Sequence, residues 1–116
     1  MKDEFWGFLD QLIESSETII DRPAGSRHPR HPQIVYPLDY GYLAGTSSAD
    51  GDGMDVWRGS LDEKTLKGIL VTVDLQNRDS EIKLLLGCTQ AEIQTILNFH
   101  NSGQMRAELI LRKNNK

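Results

Sequence analysis

Apolar residues recur at helical spacing near the start of the chain, at Phe5, Phe8, Leu9, Leu12 and Ile13, and predict an amphipathic helix over residues 3–15. Trp6 and Phe8 are its candidates for covering the core. A brief strand follows at Thr18-Ile19-Ile20. From Arg22 to Pro32 three prolines and a glycine interrupt any period, and this stretch reads as a loop. Residues 33–43 are rich in Ile, Val and Tyr and read as extended, with a break at Pro37. Met54–Gly59, Leu66–Val73 and Glu81–Cys88 are further strand candidates. Within the first, Val56 and Trp57 are neighbours that must face opposite sides, which predicts one buried and one exposed or at a subunit contact. Thr89 with Glu92 three residues on is a capping-box pattern. Ile93, Ile96, Leu97 and His100 then share one helix face, with Phe99 also directed to the core, and Gly103 marks the end. Ala107–Leu111 alternates as a last strand. The pattern predicts a mainly β, α+β domain: a small, largely antiparallel barrel or sandwich with helical segments at its edges.

Length and charge narrow the class. At 116 residues the chain is expected to be a single domain, residues 1–116, able to bury about 65% of its unfolded surface. Thirteen basic against seventeen acidic residues leave a net charge of −4, which argues against a nucleic-acid partner, since that needs a basic face. The acidic start Met1-Lys2-Asp3-Glu4-Phe5 lacks the pattern of a signal peptide. No apolar run approaches the roughly 20 residues that span a bilayer. Cys88 is the one cysteine, so it forms no internal disulfide and reads as a small buried residue. A cytoplasmic protein is expected.

The candidate chemistry lies between these elements. Asp50-Gly51-Asp52-Gly53-Met54-Asp55 places three carboxylates in one glycine-punctuated turn. Like charges this close repel by about 4 kcal/mol per pair at 4 Å and an effective dielectric near 20, so a divalent cation or full solvation must offset them. Asp74 and Asp79 bracket the bend between the two strongest strands. If that bend lies beside the first turn, five carboxylates converge, an oxygen-only set suited to a hard cation such as Mg²⁺. Alternatively the two are turn aspartates bonded to their own backbone. An EF-hand loop counted from Asp50 fails, with Met54, Asp55 and Leu61 at the fifth, sixth and twelfth places. The loop Arg22-Pro23-Ala24-Gly25-Ser26-Arg27-His28-Pro29-Arg30-His31 offers three guanidinium groups and two imidazoles. Such groups match phosphate oxygens, although a solvated basic loop has the same composition. His28 and His31 are weaker candidates for a transition metal, with no cysteine near them.

Tyr36-Pro37-Leu38-Asp39-Tyr40-Gly41-Tyr42, then Thr46 and Asp50-Gly51-Asp52-Gly53-Met54-Asp55-Val56, resemble the signature region of soluble family I inorganic pyrophosphatases. Those enzymes carry Tyr-Pro-x-x-Tyr-Gly-Tyr or Tyr-Gly-Phe, followed by Asp-Gly-Asp-Pro-x-Asp-Val. The resemblance is strong over about residues 35–57 and continues in an aspartate pair five apart, Asp74 and Asp79. It implies a five-stranded OB-like barrel with one or two flanking helices, and Mg²⁺-dependent hydrolysis of inorganic pyrophosphate. Asp55 matches the aspartate bridging two metal ions and the attacking water, and Asp52 the general base. Asp50, Asp74 and Asp79 match metal-holding carboxylates, and Tyr40 a tyrosine near the phosphate. Family members are commonly homo-oligomers, and the same is expected here.

This chain departs from the family at its cations. Gly53 stands where the family has proline, which loosens the turn. Asp21 and Arg27 are possible stand-ins for an upstream Glu and Lys pair. Glu81 occupies the place of the lysine after the paired aspartates, with Lys83 two residues on. His100-Asn101 falls near the family's late Tyr-Lys. The phosphate is therefore assigned to Arg22, Arg27, Arg30 and Lys83. The alternative is a pyrophosphatase-like domain that binds metal or phosphate without catalysis, or acts on another substrate.

Overall fold

The computed structural model describes residues 4–48 and 51–113. In chain order the elements are helix α1 (Glu4–Glu14), strands β1 (Thr18–Arg22), β2 (Asp39–Leu43), β3 (Met54–Arg58), β4 (Leu66–Asp74) and β5 (Asp79–Leu86), helix α2 (Gln90–His100) and strand β6 (Met105–Leu111). All six strands join one mixed sheet in the order β1-β2-β3-β5-β4-β6. The β3–β5 pair is parallel and the other pairs are antiparallel.

The α+β class expected from the sequence is present, but the sheet is not closed and has six strands rather than five. Closure would bring β6 against β1, and the outer edge of β6 is already engaged. Its Met105 N–H donates to the Ser102 carbonyl at 3.1 Å and its Ala107 N–H to Asn101 Oδ1 at 3.0 Å. Capping of this kind blunts an edge that would otherwise recruit another strand.

Two clusters fill the core, one on each sheet face. Leu9 and Ile13 of α1 pack with Leu43, Val56, Ile69, Leu84 and Leu86. On the other face Ile93 and Ile96 of α2 pack with Tyr36, Trp57, Leu70, Leu85 and Cys88. This covering of both faces corrects the expectation for Val56 and Trp57, because both are fully buried, one in each cluster. It also explains the unbroken buried run from Lys83 to Cys88, which a one-sided strand would not show. Cys88 is buried, and burial with nearby Glu92 raises its thiol pKa to about 11. Among the described residues no helix is long and apolar enough to cross a membrane.

The helices follow their local signals with one correction. Phe8 does not cover the core and is 69% exposed; Trp6, Leu9 and Ile13 form the inward stripe instead. Phe5, Phe8 and Leu12 repeat the same spacing on the other side of α1, so periodicity alone could not choose between the stripes. Arg112 fixes the choice by a bidentate pair with Asp10, at 2.9 and 2.8 Å, and by lying over the Trp6 ring. In α2 the capping box is complete. Thr89 Oγ1 accepts from the Glu92 N–H at 3.1 Å, and Glu92 Oε1 accepts from the Thr89 N–H at 2.8 Å. Such a cap stabilises a helix by about 1 kcal/mol.

Candidate functional site

Strand register collects the candidate residues on the sheet face that carries α2. Directly opposed residues share a face, and two rows cross the sheet there: Arg22–Tyr40–Trp57–Leu85 and Tyr42–Asp55–Lys83–Leu70. Arg22 belongs to the first row only through a bulge. Ile20 pairs with Gly41 and Arg22 with Tyr40, so Asp21 is the extra residue. Were Asp21 paired regularly rather than bulged, Arg22 would share the face of Ile20, on the α1 side. A bulge that re-aims one side chain is a common device beside functional sites. Gly41 allows β1 to pass closely here, since a Cβ on it would collide with the Ile19 carbonyl.

At the centre lies Lys83, 4% exposed. Its Nζ reaches Asp55 Oδ2 at 2.8 Å, Tyr40 Oη at 2.8 Å and Glu81 Oε1 at 3.0 Å. An ammonium has three donors, and all three are used. Burial works against its charge, but the Tyr40 oxygen and the Asp55 carboxylate outweigh burial and raise the Lys83 pKa. Burial also raises the Tyr40 pKa, with Lys83 opposing and Asp55 adding, so Tyr40 is a neutral phenol that hydrogen-bonds Asp55. Lys83, assigned to phosphate from the sequence, is thus engaged by Asp55, Glu81 and Tyr40 instead. Glu81, which stands in the place of the family's lysine, thus acts as a partner of Lys83. Its alternation with Lys83 along one strand face was the available signal.

Two cavities adjoin this network. The smaller, about 570 Å³, is lined by Asp21, Arg22, Tyr40, Tyr42, Asp52 and Asp55, with the turn glycines 51 and 53. Its loop is pinned by Thr46, whose hydroxyl donates to the Leu43 carbonyl at 2.7 Å and accepts the Met54 N–H at 3.0 Å. Gly51 has φ +91°, which only glycine adopts readily. Gly53 answers to space rather than looseness: a Cβ there would come within 2.8 Å of the Tyr42 ring and 3.0 Å of the Leu43 carbonyl oxygen. The larger cavity, about 1280 Å³, shares Arg22 and Tyr40 with the smaller and takes in His28, Arg30, His31 and Lys83.

The remaining assignments divide. Asp52 and Asp55 share the smaller cavity, joined by Asp21. Asp50 lies outside the described residues. Asp74 accepts the Gln76 N–H, the Asn77 N–H and the Asn77 side-chain amide at 2.9–3.1 Å, so its carboxylate organises the hairpin turn while touching the larger cavity. Asp79 pairs with Asp74 at the hairpin end and lines neither cavity. Four residues at about 3.3 Å each separate it from the Lys83 row, roughly 13 Å. The expected convergence of five carboxylates is therefore not seen among the described residues, because the long β4–β5 hairpin carries its tip away from the first turn. Arg27 likewise turns aside, its Nη1 donating to the Pro32 carbonyl at 2.9 Å.

Among the described residues no three His, Cys, Asp or Glu side chains stand together as a metal cage. Asp21, Asp52 and Asp55 do line one cavity, with carboxylate oxygens only. His100, buried on the inward face of α2, lines the larger cavity. Trp57 Nε1–H donates to its Nε2 at 3.0 Å, and burial followed by the Lys83 charge lowers its pKa to about 3, with Asp55 opposing. No protein-family model matches this chain, and no curated protein matches it.

Proposed function

We propose that this protein hydrolyses inorganic pyrophosphate in a Mg²⁺-dependent reaction at the smaller cavity. The observation that carries the reading is the junction of an acidic cavity and a cation-lined one at Arg22 and Tyr40. A phosphoanhydride needs both kinds of surface, oxygen ligands for its counter-ion and donors for its own oxygens. Asp52 and Asp55 are the residues that would hold Mg²⁺, with Asp21 beside them. Bound there, the ion supplies acidification of a water and charge neutralisation on the phosphoryl oxygens.

The chain's own groups have separate tasks. Asp52, on the exposed side of the cavity, takes the proton of the attacking water. Arg22 donates to phosphoryl oxygens from the junction, since its Nη1 bond to Tyr36 Oη at 2.6 Å leaves other donors available. Tyr40 orients Asp55 as a neutral hydroxyl. Lys83 places a fixed positive charge behind both, which lessens repulsion between Asp55 and Glu81.

One observation favours a second reading, a non-catalytic phosphate-binding relative. Lys83 Nζ already sits among Asp55, Glu81 and Tyr40 as a resident cation. A phosphate-release assay with pyrophosphate and Mg²⁺, run beside Asp55→Asn, separates the two. Release by the wild type, with at least a hundred-fold loss in the variant, is the expected result. Equal background release from both proteins would falsify the hydrolase reading. A parallel screen of nucleotides and small phosphoesters identifies a shifted substrate.

A further inference from the structure

We propose that the larger cavity is a subsite for a third phosphoryl group, so that the preferred ligand is a linear chain of three or more phosphates rather than pyrophosphate. The inference rests on the reading that the smaller cavity receives a phosphoanhydride. Pyrophosphate placed at the Arg22–Tyr40 junction leaves most of the roughly 1280 Å³ cavity empty. Among mostly neutral side chains, that remainder is lined by the Arg30 guanidinium and the imidazoles of His28 and His31, which belong to the larger cavity alone.

Lys83 and Arg112 each pair with a carboxylate, whereas Arg22 and Arg30 form no ion pair among the described residues. The acidic group on the cavity wall, Asp74, is turned onto its own hairpin amides. The crowding of positive charge registers on His28, whose pKa is lowered by burial and then by Arg22, His31 and Arg30. An anion in the cavity relieves that repulsion.

A solvated basic loop would share the composition but not the order. The Gly25 N–H reaches the Tyr36 carbonyl at 2.8 Å, the Tyr36 N–H reaches the Ser26 carbonyl at 2.9 Å, and the His28 N–H reaches the Ile34 carbonyl at 2.9 Å. The His28 ring stacks on Tyr36, with centroids 6.3 Å apart and planes 11° apart, and its centroid is 5.0 Å from that of His31. His28 Nδ1 accepts the Arg30 N–H at 3.1 Å, which leaves Nε2–H as a donor even in the neutral ring. Donors fixed before the ligand arrives cost less ordering on binding.

Calorimetric titration of the full chain in EDTA, where Mg²⁺-dependent turnover is stopped, tests the proposal with tripolyphosphate, pyrophosphate and ATP. Tripolyphosphate is expected to bind at least ten-fold more tightly than pyrophosphate. The ratio should fall within two-fold in His28→Gln/Arg30→Gln/His31→Gln and persist in the control Lys64→Gln/Lys67→Gln. If the triple variant does not fold, Arg30→Gln/His31→Gln, both exposed, is expected to cut the ratio at least three-fold. ATP binding as tightly as tripolyphosphate identifies a nucleoside triphosphate as the source of the chain, and weaker ATP binding identifies the free inorganic chain; both support the subsite. A wild-type ratio near one, or a ratio unchanged in the loop variants, overturns it. Phosphate release from pyrophosphate with Mg²⁺ is scored separately. Release without chain-length preference sinks the subsite alone, and preference without release sinks the hydrolase reading alone.

Discussion

Replacing Lys83 by methionine keeps the aliphatic stem and removes one buried charge. Asp55 and Glu81 are then left without the ammonium that they share. Removing one partner of a buried ion pair costs about 3–5 kcal/mol. The two carboxylates keep 24% and 20% of their side-chain surface in water, so the lower end, about 3 kcal/mol, is expected here. For a chain of this length that corresponds to roughly 12 °C in Tm. Urea unfolding followed by Trp fluorescence measures it directly. The cost belongs to stranded charge rather than lost packing, so Lys83→Met combined with Asp55→Asn and Glu81→Gln should recover most of it. A single variant that loses under about 1 kcal/mol, or a triple variant no more stable than the single, would refute the reasoning. Mg²⁺ should restabilise Lys83→Met more than wild type, because a cation returns to where the ammonium was.

Three further outcomes follow from particular contacts. His100 has its pKa lowered from 6.5 to about 3 in the folded chain. Unfolded chains therefore take up the proton first, and the stability from the neutral ring is complete above about pH 6.5 and lost as pH falls towards 3. About 3 kcal/mol should disappear between pH 8 and pH 4, and His100→Gln should flatten the wild-type slope by that amount in denaturation series; parallel slopes would count against it. Arg22→Gln removes the guanidinium at the junction of the two cavities, so phosphate release should drop at least ten-fold with the fold retained by circular dichroism. Gly41→Ala forces a methyl group onto the Ile19 carbonyl and should cost at least 2–3 kcal/mol, about the upper range for overpacking, read from the urea midpoint.

The chain of local signals was legible where chemistry is local. The capping box at Thr89 and Glu92, the inward stripe of α2 and the strand cores all follow from spacing of a few residues. The acidic turn was also legible, since Asp52 and Asp55 stay within one loop whose ends are pinned by Thr46. So was the cationic character of the Arg22–His31 loop, although its ordering by backbone bonds to residues 34–36 depends on chain return.

What required the tertiary structure was every choice between faces. A strand pattern says that Val56 and Trp57 point opposite ways; only helices on both sides make both buried. Helical spacing drew two apolar stripes on α1, and the Arg112–Asp10 pair selects one. The bulge at Asp21 breaks the alternation that would otherwise set Arg22 on the face of Ile20. Lys83 reads as a free phosphate-binding cation until the parallel β3–β5 register sets it beside Asp55. Asp74 and Asp79 read as metal ligands until the hairpin length carries them away. Composition and spacing determined which chemical groups this protein carries, because those are properties of the residues. Strand register and the packing of α1 and α2 decided which groups meet, because contact depends on partners distant in sequence.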